Sequence, residues 1–317
     1  MCVRFSDVTD LTTPRTQTDF GPLVLGGNVF GWTADRDASF AVLDGFVEAG
    51  GRAIDTADVY SEWADGHTGG ESETVIGEWL AARPGMRERV SIATKVCQKS
   101  DRRGLSPENL RAALDESLER LQTDYVDLYY AHRDDPEVPQ NEVVTAMAEF
   151  VAEGRVRELG ASNFSAERLR SAVDVASAHG VTGFTVAQDL YNLVRRDYET
   201  DLKPTIAALG IVQLPFGALQ GGFLTGKYRA GGDPVDSPRA VNATKLLDDA
   251  RAVATVEALR GVADARGASM AAVALAWLRQ RPTVGAPIAS ARSSEQLTAL
   301  VESFTLTLTD EEIAALA

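Results

Sequence analysis

The chain of 317 residues, 44% hydrophobic and 24% charged, has the balance of a globular protein and is long enough to bury roughly three quarters of its unfolded surface. Its formal net charge of −15 argues against nucleic acid or an anionic membrane surface as a partner. Two cysteines, Cys2 and Cys97, exclude a disulfide framework or a Cys-rich zinc site, and three histidines, His67, His132 and His179, lack metal-binding helical spacing.

The N-terminal stretch MCVRFSDVTDLTTPRTQ has no apolar core of a secretory signal. No apolar run reaches the ~18 residues of a membrane span, so a cytoplasmic protein is expected. The first strand is predicted in PLVLGG, near 22–27. ASFAVLDGFVEAG then places Phe40, Leu43, Phe46 and Val47 on one helical face and stops at Gly50. RAIDTA, near 52–57, begins as a buried strand but is interrupted by Asp55. Burying an unpaired carboxylate is costly, so Asp55 needs a partner or an exposed strand end.

VSIATKV at 90–96 is the third strand, and SPENLRAALDESLERLQ a helix with Ser106 as N-cap and Pro107 at its first position. Strands follow in YVDLYYAH at 125–132 and VRELGAS at 156–162, where Tyr129 and Tyr130 read as packing residues. A helix starts at Ser165 and ends with Gly180. FTVAQDLY at 184–191 and GIVQLPF at 210–216 are the next strands; the irregular segment 226–247 follows, and TVGAPIAS at 283–290 is the eighth strand. Trp79 and Trp277 have helical spacing to apolar neighbours and read as core, and Thr309 with Glu312 forms a capping box near the end.

Eight strands alternating with helices predict a parallel sheet, either doubly wound and open or closed as a barrel. No G-x-G-x-x-G follows any strand, and eight units in about 300 residues match the usual barrel length. The expectation is therefore an α/β protein with a (β/α)8 TIM barrel fold, residues 1–317 forming one domain.

In such a barrel the C-terminal strand ends converge on one mouth. Those ends carry Asp55 and then Tyr60, Lys95, His132, Ser162 with Asn163, Gln188, and the segments after Phe216 and Ser290. Tyrosine has a reference pKa near ~10, too high for a ready donor unless its phenolate is stabilised. The Lys95 ammonium would lower it, Asp55 would pair with Lys95, and His132 could hydrogen-bond a substrate oxygen. Such a group protonates a developing alkoxide without a metal, as carbonyl reduction requires, with the hydride coming from a cofactor.

DTADVY, IATKV, DLYYAHR, GRVRELGASNF, AQDLYN, GGFLTGKY and SARSSEQL, in this order from about residue 20 to 310, resemble the aldo-keto reductase superfamily. The resemblance implies NADP(H) bound across the barrel mouth, a small carbonyl substrate such as a sugar, aldehyde or ketone, and a catalytic tetrad of Asp55, Tyr60, Lys95 and His132 with Tyr60 as general acid. Ser162, Asn163 and Gln188 resemble the trio that holds the nicotinamide carboxamide, with Phe216 where the family usually has a stacking tyrosine. Gly217 and Ala218 replace the more usual Ser-Pro, so the resemblance assigns the pyrophosphate to backbone near Leu219 and Gly221. Ser290, Arg292 and Gln296, in a C-terminal cofactor-binding segment, resemble the positions for the adenosine 2′-phosphate and adenine. Ala299-Leu300 stands where many members have Glu-Asn.

Trp32 and Trp63 fall on loops at the mouth, as substrate-pocket walls or as loop packing, and Asp58 reads as a loop residue without a catalytic role. Two rivals share the same residues. One is a channel-associated, NADPH-binding regulatory subunit with little turnover; the other is a metal-assisted lyase or hydrolase on the same barrel. The particular substrate, the direction of reaction and the oligomeric state are left open.

Overall fold

A computed structural model describes residues 16–316, so Cys2 and the N-terminal stretch lie outside the described residues. Eight strands form the sheet: β1 (Val24–Gly26), β2 (Ala53–Asp55), β3 (Ser91–Val96), β4 (Val126–Ala131), β5 (Val156–Ser162), β6 (Phe184–Gln188), β7 (Val212–Gln213) and β8 (Ile288–Ala289). The order is β7-β6-β5-β4-β3-β2-β1-β8, every pair parallel. The two ends meet through the segment before β8: Gln213 N–H donates to Thr283 O at 2.8 Å, Gly285 N–H to Gln213 O at 2.9 Å, and Ile288 N–H to Pro215 O at 2.9 Å. The sheet thus closes as the expected (β/α)8 barrel.

The helices are α1 (Arg36–Glu48), α2 (Glu71–Ala81), α3 (Pro107–Leu121), α4 (Gln140–Ala152), α5 (Ala166–His179), α6 (Tyr198–Asp201), α7 (Lys203–Leu209), α8 (Ala240–Thr244), α9 (Ala250–Arg266), α10 (Met270–Arg279), α11 (Ser294–Val301) and α12 (Asp310–Ala315). Their ends follow local chemistry. Ser106 and Ser165 side chains accept from Asn109 N–H and Arg168 N–H, and Gly180 ends α5 at φ +63°. The Thr309–Glu312 capping box starts α12. In α1 the core face is Val42, Leu43, Phe46 and Val47. Phe40 is only half-buried: the guanidiniums of Arg36 and Arg83 lie 4.2 and 4.9 Å from its ring centroid, covering it from the solvent side.

Inside the barrel Val24, Ala53, Ala93, Leu128, Tyr130, Val186 and Ile288 pack in one cluster. Tyr130 fits only because Gly160 of β5 has no side chain; a Cβ there would lie 2.4 Å from the Tyr130 ring carbons. A larger core fills the space between strands and helices and includes Trp79 and Trp277, both fully buried. No helix among the described residues is long and apolar enough to cross a membrane. The segment 226–247 is largely irregular, with α8 as its longest helix, and it joins the mouth rather than the wall.

Candidate active site

Asp55 is the last residue of β2, and the chain beyond it keeps to the edge of β3: Thr56 N–H donates to Ala93 O at 2.8 Å and Asp58 N–H to Lys95 O at 3.2 Å. That path returns Tyr60 over the end of Lys95. Lys95 is fully buried, and its Nζ donates to Asp55 Oδ2 at 2.6 Å, Thr56 O at 2.7 Å and Tyr60 Oη at 2.9 Å. All three ammonium hydrogens are thus engaged. Across the barrel, Gln188 Nε2 donates to Asp55 Oδ1 at 2.8 Å. The Tyr60 hydroxyl donates to Asp55 Oδ2 at a longer 3.2 Å, leaving its proton readily redirected. His132, just past β4, stands edge-on to Tyr60 with ring centroids 6.1 Å apart.

The electrostatics of this group follow from its burial. Desolvation, then the Asp55 charge, push the Tyr60 phenol well above its ordinary range. Tyr60 is therefore held as the neutral phenol. Lys95 Nζ, 2.9 Å from Tyr60 Oη, is placed to stabilise a phenolate once one forms. Desolvation lowers the Lys95 pKa, opposed mainly by Asp55. Desolvation, then the positive charges of Lys95 and Arg133, take His132 well below the ordinary histidine range, so it is a neutral imidazole with a single N–H to donate.

One cavity of about 620 Å³ lies above. Asp55, Tyr60 and His132 line its floor, and Trp32, Ser162, Asn163, Gln188, Phe216, Leu219, Gly221, Ser290, Arg292 and Gln296 line its sides. Of the residues singled out in the sequence, Lys95 lies beneath this lining and Trp63 beside it. Trp63 is 50% exposed, packs edge-on against Trp32 with centroids 5.4 Å apart, and sits 6.1 Å from the Tyr60 ring.

Several cavity residues already have protein partners. Asn163, at φ +57°, donates from Nδ2 to His132 O at 3.0 Å and to Ser162 Oγ at 2.9 Å, while its N–H meets Asp189 Oδ1 at 3.0 Å. Ser290 Oγ donates to Asn28 Oδ1 at 2.6 Å, and Arg292 N–H to Gln296 Oε1 at 3.0 Å. The bond from Gln188 to Asp55 ties the amide to the Asp55–Lys95–Tyr60 cluster as well as to the cavity wall.

Lys227 and Arg239 also line the cavity and were not singled out from the sequence. Lys227 is the penultimate residue of the quoted GGFLTGKY stretch, and Arg239 falls in the irregular segment 226–247; a cation in a loop above the mouth was the available signal. Lys227, Arg239 and Arg292 take part in none of the ion pairs found among the described residues. Asp58 departs from its reading as an ordinary loop residue. It is on the loop, yet 0% exposed, and neither carboxyl oxygen has a hydrogen-bond partner. Among the described residues no group of three or more His, Cys, Asp or Glu is arranged to hold a metal ion.

The arrangement can present a protonated phenol, backed by an ammonium, to an oxygen at the barrel mouth beside a cavity with three uncommitted cations. Comparison with known proteins agrees with that chemistry. Residues 22–317 match the model of the Aldo/keto reductase family. Norsolorinic acid reductase B of Aspergillus parasiticus is 33% identical over 96% of this chain and 82% of its own length. The uncharacterized oxidoreductase YrpG of Bacillus subtilis is 32% identical over 94% of this chain and 91% of its own. The probable aryl-alcohol dehydrogenase AAD4 of Saccharomyces cerevisiae is 31% identical over 88% and 86%. With its barrel and with these relatives, the chain belongs to the aldo/keto reductase family and is an oxidoreductase.

Proposed function

We propose that this protein is an NADP(H)-dependent carbonyl reductase in which Tyr60 donates a proton to the carbonyl oxygen. The observation that carries this reading is the buried Lys95 ammonium, bonded at once to Asp55 and to the Tyr60 phenol oxygen below a single large cavity. As the proton leaves, negative charge builds on Tyr60 Oη, 2.9 Å from an ammonium that needs no rearrangement to stabilise it. Asp55 keeps that ammonium charged and in place. His132, neutral, donates its one N–H to the same carbonyl oxygen and fixes its approach to Tyr60.

The cavity residues fit a phosphorylated dinucleotide. The Phe216 ring offers a π-face, and Ser162, Asn163 and Gln188 gather polar groups beside it. Backbone at Leu219 and Gly221 faces the middle of the cavity, and Ser290, Arg292 and Gln296 line the wall suited to an adenosine 2′-phosphate. Lys227 and Arg239 supply further positive charge, which favours NADPH over NADH. Bound there, the cofactor supplies the hydride that no side chain can.

The Trp32–Trp63 pair beside Tyr60 supports a carbonyl substrate with a flat apolar body, and the names of the norsolorinic acid and aryl-alcohol relatives point the same way. We place the protein in the cytoplasm and read the whole chain as one working unit. The test is carbonyl-dependent oxidation of NADPH by wild type and Tyr60→Phe over a panel of aryl and aliphatic aldehydes. Loss of at least ~100-fold in kcat with NADPH still bound is expected; full activity in the variant would remove Tyr60 as the acid.

A further inference from the structure

Asp58 lies two residues before Tyr60, in the loop that carries the phenol, and nothing above gives it a role. Its carboxyl group is sealed between barrel wall and outer helices. Asp58 is 0% exposed, and Gly69, at φ +88°, lets the two loops approach closely there: a Cβ on it would stand 2.8 Å from the Asp58 backbone carbonyl oxygen and 3.2 Å from Lys99 Cε. Neither carboxyl oxygen finds a donor. A buried side chain of this kind is rare unless its state serves something.

The charges around it explain why it is left over. From α2, Glu73 accepts from Thr94 Oγ1 at 2.5 Å and from Arg120 Nε of α3 at 2.7 Å. In the loop after β3, Lys99 pairs with Asp101 at 2.7 Å and Arg102 with Glu116 at 2.7 Å. On β3 itself, Lys95 belongs to Asp55. Tyr129 of β4 and Cys97 are the remaining titratable neighbours, and Asp58 disfavours ionisation of both. Each nearby cation thus has a carboxylate of its own, and Asp58 is the surplus acid. Two links join it to the proton-donating group. Its N–H holds Lys95 O at 3.2 Å, so loop and lysine move together, and its charge reaches the Lys95 ammonium.

We propose that Asp58 is a positioning residue for proton donation: it stays a neutral carboxylic acid while the site donates, and its ionisation, acting through Lys95, weakens Tyr60 as a donor. The inference rests on the carbonyl-reductase reading for its effect on rate, but not for the state of the acid. The reason is electrostatic. Negative charge grows on Tyr60 Oη during donation, and a second anion behind Lys95 offsets part of the positive potential that stabilises it. Desolvation, reinforced by Glu73 and opposed by Arg120, Arg102 and Lys99, pushes the Asp58 carboxyl up to about 7, where a small change in pH alters its charge.

Two measurements test this. Infrared difference spectra of the wild-type protein on a pH titration report the carbonyl stretch of a buried protonated acid directly, with no variant needed. Burial pushes Asp189 up to about 7 as well, so the Asp58 component is the part of the band that fades across neutral pH in wild type and is missing in Asp58→Asn. The second is kcat for NADPH-dependent carbonyl reduction from about pH 5.5 to about pH 9. Wild type should fall about three- to tenfold across neutrality, whereas Asp58→Asn, an amide unable to ionise, should give a profile without that fall. A wild-type acid band that titrates no differently from that of Asp58→Asn overturns the proposal, as does a fall in kcat that persists unchanged in Asp58→Asn. An acid band that titrates in a protein turning over no carbonyl would instead refute the reductase reading, and the coupling to Tyr60 with it.

Discussion

Replacing Lys95 by methionine keeps the straight apolar stem and deletes the ammonium at the centre of the site. In the folded protein Nζ makes bonds of 2.6, 2.7 and 2.9 Å to Asp55 Oδ2, Thr56 O and Tyr60 Oη. Without them Asp55, only 2% exposed, is left with Gln188 Nε2 at 2.8 Å and the Tyr60 hydroxyl at 3.2 Å. A buried pair broken from one side costs about 3–5 kcal/mol, because the surviving charge has neither water nor counter-ion. The double variant Asp55→Asn/Lys95→Met removes both charges and keeps an amide for Gln188, so it should recover about 2–3 kcal/mol of that loss. Urea denaturation of wild type, both single variants and the double variant at neutral pH measures the coupling as midpoint shifts at constant slope. Lys95→Met within ~1 kcal/mol of wild type, with additive single effects, would refute the claim that the pair is dry and mutually dependent.

Stability should fall with rising pH through Asp58. Its carboxyl moves from ~3.9 in the unfolded chain to about 7 in the fold. The folded state therefore holds a proton that the unfolded state has released, and stability present below about pH 4 declines by ~4 kcal/mol in total as pH rises through 7. Asp58→Asn removes this slope, so its denaturation midpoint should exceed that of wild type increasingly from pH 5 to pH 8; parallel curves would contradict it. Gly160→Ala puts a Cβ 2.4 Å from the Tyr130 ring. The clash should cost about 1–3 kcal/mol in the same urea assay, and turnover should drop as the ring is driven toward Lys95. Arg292→Ala should weaken NADPH binding about 10- to 100-fold with little change for NADH, measured by cofactor fluorescence titration.

The barrel is legible in the chain because each strand is a short apolar run bounded by a capped helix or a turn, and that alternation is local. The strand ends are less so. The runs 210–216 and 283–290 form continuous strand only at Val212–Gln213 and Ile288–Ala289, and elsewhere pair through isolated bridges, Leu190 with Phe216 and Gln213 with Val284. Asp55 and Lys95 stand out as charges inside apolar runs, a signal carried by the nearest neighbours alone. Asp58 gives no such signal. Its burial and the charges that act on it, Glu73 of α2 and Arg120 of α3, come from tertiary packing that no local run of sequence encodes. Arg239 is hidden for the complementary reason: its segment has no period, so nothing local says that it folds back over the mouth.

An acidic protein can hold an anionic ligand because net charge and local potential are different quantities. The formal charge of −15 is spread over the whole surface and screened beyond about 8–10 Å at physiological salt. Many carboxylates are also committed to arginines, as in Arg111 with Glu149 and Glu153, Arg155 with Asp115, and Arg266 with Glu312. Lys227, Arg239 and Arg292 escape such pairing and share one cavity, whose lining also includes the acids Glu295 and Asp55. Arg239 shows the cost of that crowding: desolvation, assisted by Arg292, lowers its pKa. Cations held close together without counter-ions are strained by mutual repulsion, and a phosphate placed among them relieves it. The same logic governs the packing beneath the cavity floor, where Asp55 offsets Lys95 and leaves Asp58 without a cation. On the proposed function, positive charge is left unpaired where a phosphate would bind, and a carboxyl is left unpaired where an extra anion would weaken the donor.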